Sequence, residues 1–212
     1  MIRFLRVRPP LRPAALLLAA TCAFLAPAAQ AAETAVTPLQ VGALRIGEGR
    51  PKTIVPITAS QADLALQQAA AIAASPATDL AEWRIDYLDS ATDGAALVAL
   101  GKRIEQALGG KPMIVTFRTK AEGGARAISD ADYGALNQAL LQCGFAQLLD
   151  VEMFRDRQVV AGLVKAAHAA GVKVVMSSHD FRATPPREEI VSRLLQQEAM
   201  GADVLKIAVM PR

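Results

Sequence analysis

The segment EWRIDY, residues 82–87, alternates charged and apolar side chains, so a strand formed here would have one entirely charged face. Four later apolar segments show a similar alternation, with polar or charged side chains at Thr116 and Arg118, Asp150 and Glu152, Ser177 and His179, and Lys206. A single charged face fits the lumen and upper rim of a closed barrel, whose apolar faces pack against outer helices. In an open sheet the same charges would be buried under a helix, which is costly. The alternation therefore favours a barrel.

Predicted strands and helices alternate along the rest of the chain. Apolar runs of strand length occur near residues 53–57, 80–88, 113–118, 146–153, 173–178 and 204–210, with helical segments between them. Such βα units form a parallel sheet with right-handed crossovers. We therefore predict an α/β fold, a (β/α)8 TIM barrel, in which a single domain over residues 32–212 supplies about six of the eight βα units. A hairpin is expected before the first unit, within residues 32–52.

Residues 1–31 have the pattern of a secretory signal peptide. Four arginines precede an apolar run from Ala14 to Leu25, and Ala29-Gln30-Ala31 is a small-residue cleavage site, so cleavage is expected after Ala31. The apolar run is about half as long as a membrane-spanning helix requires. We therefore expect an exported protein, periplasmic or secreted, that is free of the membrane after cleavage.

Removal of this segment changes the charge balance. The whole chain has 23 Lys and Arg residues against 20 Asp and Glu residues. Four of the arginines belong to residues 1–31, so the mature chain would have 19 basic residues and a net charge of about −1. This balance predicts neither a nucleic acid nor an anionic membrane as partner. Cys143 would be the single remaining cysteine, which excludes an internal disulfide.

Three residues form a candidate catalytic group. Lys206 lies in the apolar segment VLKIAVM, where it either extends to an exposed strand end or, if buried as the neutral amine, attacks a carbonyl to form a Schiff base. His179 follows the strand KVVMSS and is either a core histidine or the proton shuttle that such an imine needs. Glu122 precedes Gly123-Gly124 and is either a solvated loop carboxylate or the partner that holds the histidine tautomer.

The charges on the predicted lumen face also allow two interpretations. Glu82, Arg84 and Arg118 either form a structural ion-pair network or bind the hydroxyl and carboxylate groups of a small polyol acid. Asp150 and Glu152 are expected to be members of the network rather than catalysts.

Four motifs in this order closely resemble type I 3-dehydroquinate dehydratase: EWRIDYLD (82–89), TFRTKAEGG (116–124), MSSHDF (176–181) and KIAVMP (206–211). The resemblance spans most of the chain after residue 31. It implies a (β/α)8 barrel, usually a homodimer, that dehydrates 3-dehydroquinate to 3-dehydroshikimate through an imine. It also implies that the reaction uses neither a metal nor an organic cofactor.

The resemblance assigns a role to each candidate residue by its position. Lys206 matches the lysine that forms the imine, His179 the general base and acid, and Glu122 the carboxylate partner of the histidine. The positions that match substrate-binding residues are Glu82, Arg84 and Arg118.

The sequence departs from the family pattern in two respects. The family is cytoplasmic, whereas an export signal would suit the breakdown of external quinate or shikimate. The family also continues through two more βα units that contain an arginine, a serine and a glutamine of the site, so we expect a truncated sequence, or else a pseudoenzyme or a barrel completed by another chain. Two alternative functions remain: another class I imine-forming enzyme of aldolase type, and an exported small-molecule-binding remnant of the fold.

Overall fold

The structure, a computed structural model, describes residues 37–211. The predicted signal peptide, residues 1–31, lies outside the described residues. The described chain begins with a hairpin in which β1 (Leu39–Val41) pairs with antiparallel β2 (Leu44–Ile46). Gly42 has a φ of 57°, a left-handed conformation that suits glycine at this tight turn. The predicted hairpin is therefore present.

Six parallel strands follow, and their order in the sheet is their order in the chain. The strands are β3 (Ile54–Ile57), β4 (Leu80–Arg84), β5 (Met113–Thr116), β6 (Leu148–Glu152), β7 (Lys173–Asp180) and β8 (Val204–Val209). The helices between them are α1 (Ala62–Ala74), α2 (Gly94–Ala107), α3 (Asp130–Leu141), α4 (Arg157–Ala169) and α5 (Arg187–Ala199). The predicted α/β alternation is thus confirmed, with β3 and β8 at the two edges of the described sheet.

The second predicted strand is shorter than expected. Residues 80–88 were predicted as one strand, but β4 ends at Arg84 and a 3-10 turn follows at Ile85–Tyr87. The turn buries Asp86 completely and brings its carboxylate onto the Arg84 guanidinium, with N–O distances of 2.8 and 2.9 Å. This ion pair and main-chain N–H donors from the loop after β5 stabilise the turn. The strand therefore does not continue past Arg84.

The two faces of the sheet have different partners. The outer face packs Trp83, Val115 and Met176 against the helices in one large core. On the inner face, the lower ends of the strands contribute a smaller cluster that the hairpin covers, formed by Leu80, Ile114, Leu148 and Val175 with Val41. The polar side chains of the inner face therefore lie nearer the carboxyl ends of the strands, which is the edge where barrel enzymes hold their sites.

The sheet is strongly curved. Lys206 Nζ on β8 lies 3.6 Å from Glu82 Oε1 on β4, although four strand spacings separate these strands. In a flat sheet four spacings would amount to about 19 Å. The six strands therefore form a half-barrel with a concave polar face. Across residues 37–211, no helix combines the length and apolarity needed to cross a membrane.

Candidate active site

Lys206 lies on the concave face, beside Ser177 in the register of β7 and β8. Its ammonium nitrogen is 3.6 Å from Glu82 Oε1 and 3.6 Å from Asp150 Oδ2, and its side chain is 36% exposed. Sequence analysis left open an exposed strand end or a buried neutral amine for Lys206. The structure gives this side chain two carboxylate neighbours and leaves it partly exposed. A small carbonyl compound could therefore reach Lys206, and the two carboxylates provide a negative environment for a positively charged imine.

The main chain at Lys206 is held by a helix residue that sequence analysis missed. Gln197 of α5 is fully buried. Its Oε1 accepts the Lys206 main-chain N–H at 3.1 Å, and its Nε2 donates to the Lys206 carbonyl at 3.0 Å. Gln197 thus satisfies both main-chain groups of the lysine at the edge of the sheet. The sequence does not indicate this role, because Gln197 is one of several polar residues of α5 and its partner lies on the next strand.

His179 and Glu122 are in direct contact. His179 Nδ1 lies 2.9 Å from Glu122 Oε2, and the two side chains are only 10% and 9% exposed. Glu122 ends a 3-10 turn, Lys120–Glu122, after which Gly123 adopts a φ of 83°. That left-handed conformation turns the loop over the rim, as the Gly-Gly pair led us to expect. The ring of Phe181 is stacked parallel to His179 at a centroid distance of 6.1 Å.

Arg118 is the centre of a buried ion-pair network. The residue is 3% exposed and donates from Nη2 to Asp150 at 2.7 Å and from Nη1 to Glu152 at 2.9 Å. Nη1 also lies 2.9 Å from the Ser177 hydroxyl and 3.4 Å from Glu122 Oε2. Arg118 therefore connects the histidine partner to the carboxylate beside the lysine. Asp150 and Glu152 are network members, as the sequence predicted.

The network sets different protonation preferences at its two fully buried carboxylates. Burial by itself raises the pKa of Asp150, but the charges of Arg118 and Lys206 and the Ser177 hydroxyl outweigh burial and lower this pKa overall. Burial raises the pKa of Glu152, and the nearby Glu122 carboxylate adds to the increase despite two hydrogen bonds from Thr119. The site thus keeps Asp150 ionised and makes Glu152 the more easily protonated of the pair.

Glu82 and Arg84 occupy different parts of the concave face. Glu82 Oε1 accepts the Thr116 hydroxyl at 3.0 Å and faces Lys206. Arg84 instead pairs with Asp86, and its guanidinium carbon lies 4.8 Å from the centroid of the Tyr87 ring. The structure therefore brings Lys206, Glu82 and Asp150 together, joins Glu122 to His179, and directs Arg84 to a carboxylate whose role the sequence did not predict. Within residues 37–211, no group of three His, Cys, Asp or Glu side chains is arranged to hold a metal ion.

Comparison with known proteins identifies the family. The sequence profile of the family described as Type I 3-dehydroquinase matches residues 53–212. The chain belongs to this family. Its fold agrees with this 3-dehydroquinase assignment. A crystal structure of type I 3-dehydroquinate dehydratase from Clostridium difficile matches with a TM-score of 0.81 and 37% identity, over 82% of this chain and 68% of that one. The predicted barrel class and the resemblance are both confirmed.

Curated 3-dehydroquinate dehydratases are also similar in sequence to this chain. The catabolic enzyme of Acinetobacter baylyi is 51% identical over 169 residues, which cover 80% of this chain and 62% of that protein. The enzyme of Syntrophotalea carbinolica is 46% identical over 166 residues, or 78% of this chain and 65% of that protein. The chain thus spans slightly less than two thirds of the length of these two relatives.

Proposed function

We propose that the protein is a 3-dehydroquinate dehydratase that converts 3-dehydroquinate to 3-dehydroshikimate. The observation that carries this proposal is the placement of Lys206 on β8 and His179 on the adjacent strand β7, on one concave face, with Glu122 of the loop after β5 in contact with His179. His179 lies two residues beyond Ser177, the register partner of Lys206, so its side chain points to the same face. A candidate nucleophilic amine and a candidate proton carrier therefore share one face on neighbouring strands.

The first step of the proposed reaction is imine formation. The neutral Lys206 amine attacks the ketone carbon of the substrate, and the carbonyl oxygen leaves as water, which forms a protonated imine. The carboxylates of Glu82 and Asp150, each 3.6 Å from Lys206 Nζ, stabilise the positive charge on that nitrogen. Because the imine withdraws electrons, the hydrogen on the adjacent carbon becomes acidic.

The second step is elimination of water with His179 as base and acid. Glu122 accepts a hydrogen bond from the Nδ1–H group, so Nε2 has no proton and removes the acidic hydrogen, and the electron pair moves toward the imine nitrogen. The imidazolium then returns the proton to the hydroxyl group on the next carbon, which leaves as water while a carbon–carbon double bond forms. Hydrolysis of the imine releases the enone product and restores the Lys206 amine.

Substrate binding is assigned to three residues of the same face. Glu82 accepts hydrogen bonds from hydroxyl groups of the substrate, and Arg84 supplies fixed N–H donors. This combination of acceptor and donors suits a polyol carboxylate. Arg118 is the third contact. Its nitrogens already donate to protein acceptors, and the Glu122 contact at 3.4 Å is the longest of these. A substrate oxygen would therefore most easily replace Glu122 as an acceptor of Arg118. Glu122 would then keep its hydrogen bond with His179.

Borohydride trapping tests the imine. Incubation with 3-dehydroquinate and borohydride should produce a covalent adduct on Lys206, detected by mass spectrometry, and turnover should produce the ultraviolet absorbance of 3-dehydroshikimate. Lys206→Ala should lose both. An adduct without the enone absorbance would indicate another imine-forming enzyme, and a folded sample that gives neither would support a small-molecule-binding protein instead.

A pair of histidine variants tests the proton shuttle. His179→Ala should still trap the imine but turn over at least about 10²-fold more slowly, because a positioned acid-base group contributes at least this much. His168→Ala is the matched control, since that ring lies on α4 and contacts Asp203 at 2.9 Å. Near-normal turnover by the His179 variant would remove this residue from the mechanism.

We also propose that the protein is exported and serves the breakdown of external substrate and, on the family resemblance alone, that it forms a homodimer. The signal-like pattern of residues 1–31 supports export, and the 51% identical relative is named a catabolic enzyme. Cell fractionation with N-terminal sequencing should find a periplasmic or secreted form that begins at Ala32, and sedimentation equilibrium should give twice the mass of one chain. A cytoplasmic protein that retains Met1 would refute export.

A further inference from the structure

The Asp86 carboxylate accepts four hydrogen bonds from two different segments of the chain. The residue is fully buried, and its Oδ1 accepts Arg84 Nε–H at 2.8 Å and the Arg118 main-chain N–H at 3.3 Å. Its Oδ2 accepts Arg84 Nη2–H at 2.9 Å and the Ala125 main-chain N–H at 3.0 Å. An ionised carboxylate has about four acceptor positions, so each is occupied.

The same turn is joined a second time to the loop after β5. Arg126 donates from Nε to the Asp86 carbonyl at 3.2 Å and from Nη2 to the Leu88 carbonyl at 2.8 Å. Glu122, the partner of His179, belongs to the segment between Arg118 and Arg126. The turn that contains Asp86 therefore holds both a predicted substrate-binding arginine and the loop that supplies the histidine partner.

The geometry of the Arg84–Asp86 pair leaves part of the guanidinium free. Asp86 occupies Nε and one hydrogen of Nη2 in a bidentate arrangement, which fixes the plane of the group. The Arg84 side chain is 16% exposed, whereas Asp86 is not exposed. Arg84 Nη1 and the second hydrogen of Nη2 thus remain as donors for a ligand, in an orientation that Asp86 determines.

From this geometry we infer that Asp86 is a positioning residue, which sets substrate affinity by holding Arg84 in the binding orientation. The inference rests on the proposed function for the identity of the substrate. The positioning of Arg84 by Asp86 is a property of the free protein and does not depend on which substrate binds. The alternative is that Asp86 stabilises the fold and has no specific effect on Arg84.

A double-mutant cycle separates these two cases. Asp86→Asn and Arg84→Met should each raise KM for 3-dehydroquinate on the order of tenfold, with a smaller change in kcat. If Asp86 acts through Arg84, the double variant should be no worse than the poorer single variant. Effects that multiply to about 100-fold would show that Asp86 does not act through Arg84 and would overturn the inference.

A second measurement does not depend on turnover. Phenylglyoxal modification of Arg84, followed by peptide mass spectrometry, should be at least about fivefold faster in Asp86→Asn than in the wild type, because a fixed, paired guanidinium is less available. The exposed Arg45 is the internal reference, since its rate should not change. An unchanged Arg84 rate, or failure of both Asp86→Asn and Asp86→Ser to fold, would overturn positioning in favour of a structural role. A faster Arg84 rate in a protein without dehydratase activity would support positioning and reject only the proposed substrate.

Discussion

Replacement of Arg118 by methionine should cause a large loss of stability. Methionine keeps most of the side-chain volume but removes the cation that Asp150 and Glu152 share. Both carboxylates are only 1% exposed, so water cannot replace the lost donor. Removal of one partner from a buried ion pair typically costs about 3–5 kcal/mol, chiefly because the remaining charge stays buried. We therefore expect a loss of about 4 kcal/mol in the free energy of unfolding at pH 7.

The loss should depend on pH in a defined direction. The pKa of Asp150 is below its ordinary value of 3.8 in the folded wild type, so the stabilising contribution of this carboxylate is complete above pH 3.8 and disappears as the pH falls through its folded pKa. Without Arg118, burial acts with one fewer opposing charge and raises this pKa. The variant should therefore take up a proton at a higher pH than the wild type. The difference in stability between them should be widest near pH 7 and should narrow as the pH approaches 4.

Urea unfolding followed by circular dichroism measures this difference. With a slope of about 2 kcal/mol per molar urea, the midpoint for Arg118→Met should fall by about 2 M at pH 7. The control is Arg45→Met, because Arg45 pairs with Glu48 at the surface, where both side chains are more than half exposed. A surface pair contributes about 0–1 kcal/mol, so this midpoint should barely move. A loss below about 1 kcal/mol for Arg118→Met, or an equal loss at pH 4.5 and pH 7, would refute the assignment of Arg118 as the counter-ion of the network.

Three glycine-to-alanine variants test the packing, and they differ in what the added methyl group meets. At Gly124 the new Cβ would lie 1.8 Å from the carbonyl oxygen of Arg118, so Gly124→Ala should displace the loop and lower kcat at least about tenfold; unchanged kinetics would contradict this packing. At Gly101 in α2, three atoms of the Phe145 ring would lie 2.5–2.8 Å away, so the variant should lose about 1–3 kcal/mol in urea unfolding. At Gly162 in α4 nothing lies within 4 Å, so the variant should gain about 0.5–1 kcal/mol, and midpoint shifts of the same sign for these two helix positions would contradict the predicted contrast.

Sequence analysis succeeded where local periodicity determines the outcome. The period-two alternation at Glu82 and Arg84 predicted which side chains share the concave face, because successive side chains of a strand point to opposite sides. It failed at Asp86, which continues the same alternation but lies in a turn. The donors that stabilise this turn come partly from Arg118 and Ala125, 32 and 39 residues later, and no window around position 86 contains them.

In the candidate site, too, local sequence indicates some residues but not the contacts they make. Lys206 and His179 could be chosen as candidates from the strands that contain them, and Gly123-Gly124 indicated how Glu122 would reach the histidine. The acceptors of Arg118 could not be predicted, since three of them lie on β6 and β7 and any of several carboxylates could have been its partner. Gln197 was missed because a polar helix residue has the same sequence pattern whether it faces solvent or a strand edge.

The sequence by itself determined the family, the order of the βα units and the polar residues that share the concave face, because strand periodicity and motif order are properties of the linear chain. Only the tertiary structure decided which charges meet. Curvature of the sheet brings Glu82 and Lys206 to 3.6 Å across four strand spacings, and burial then requires every carboxylate to find a donor. The pairing of Arg118 with Asp150, and of Arg84 with Asp86, follows from that requirement, since the cost of an unpaired buried charge depends on the folded surroundings.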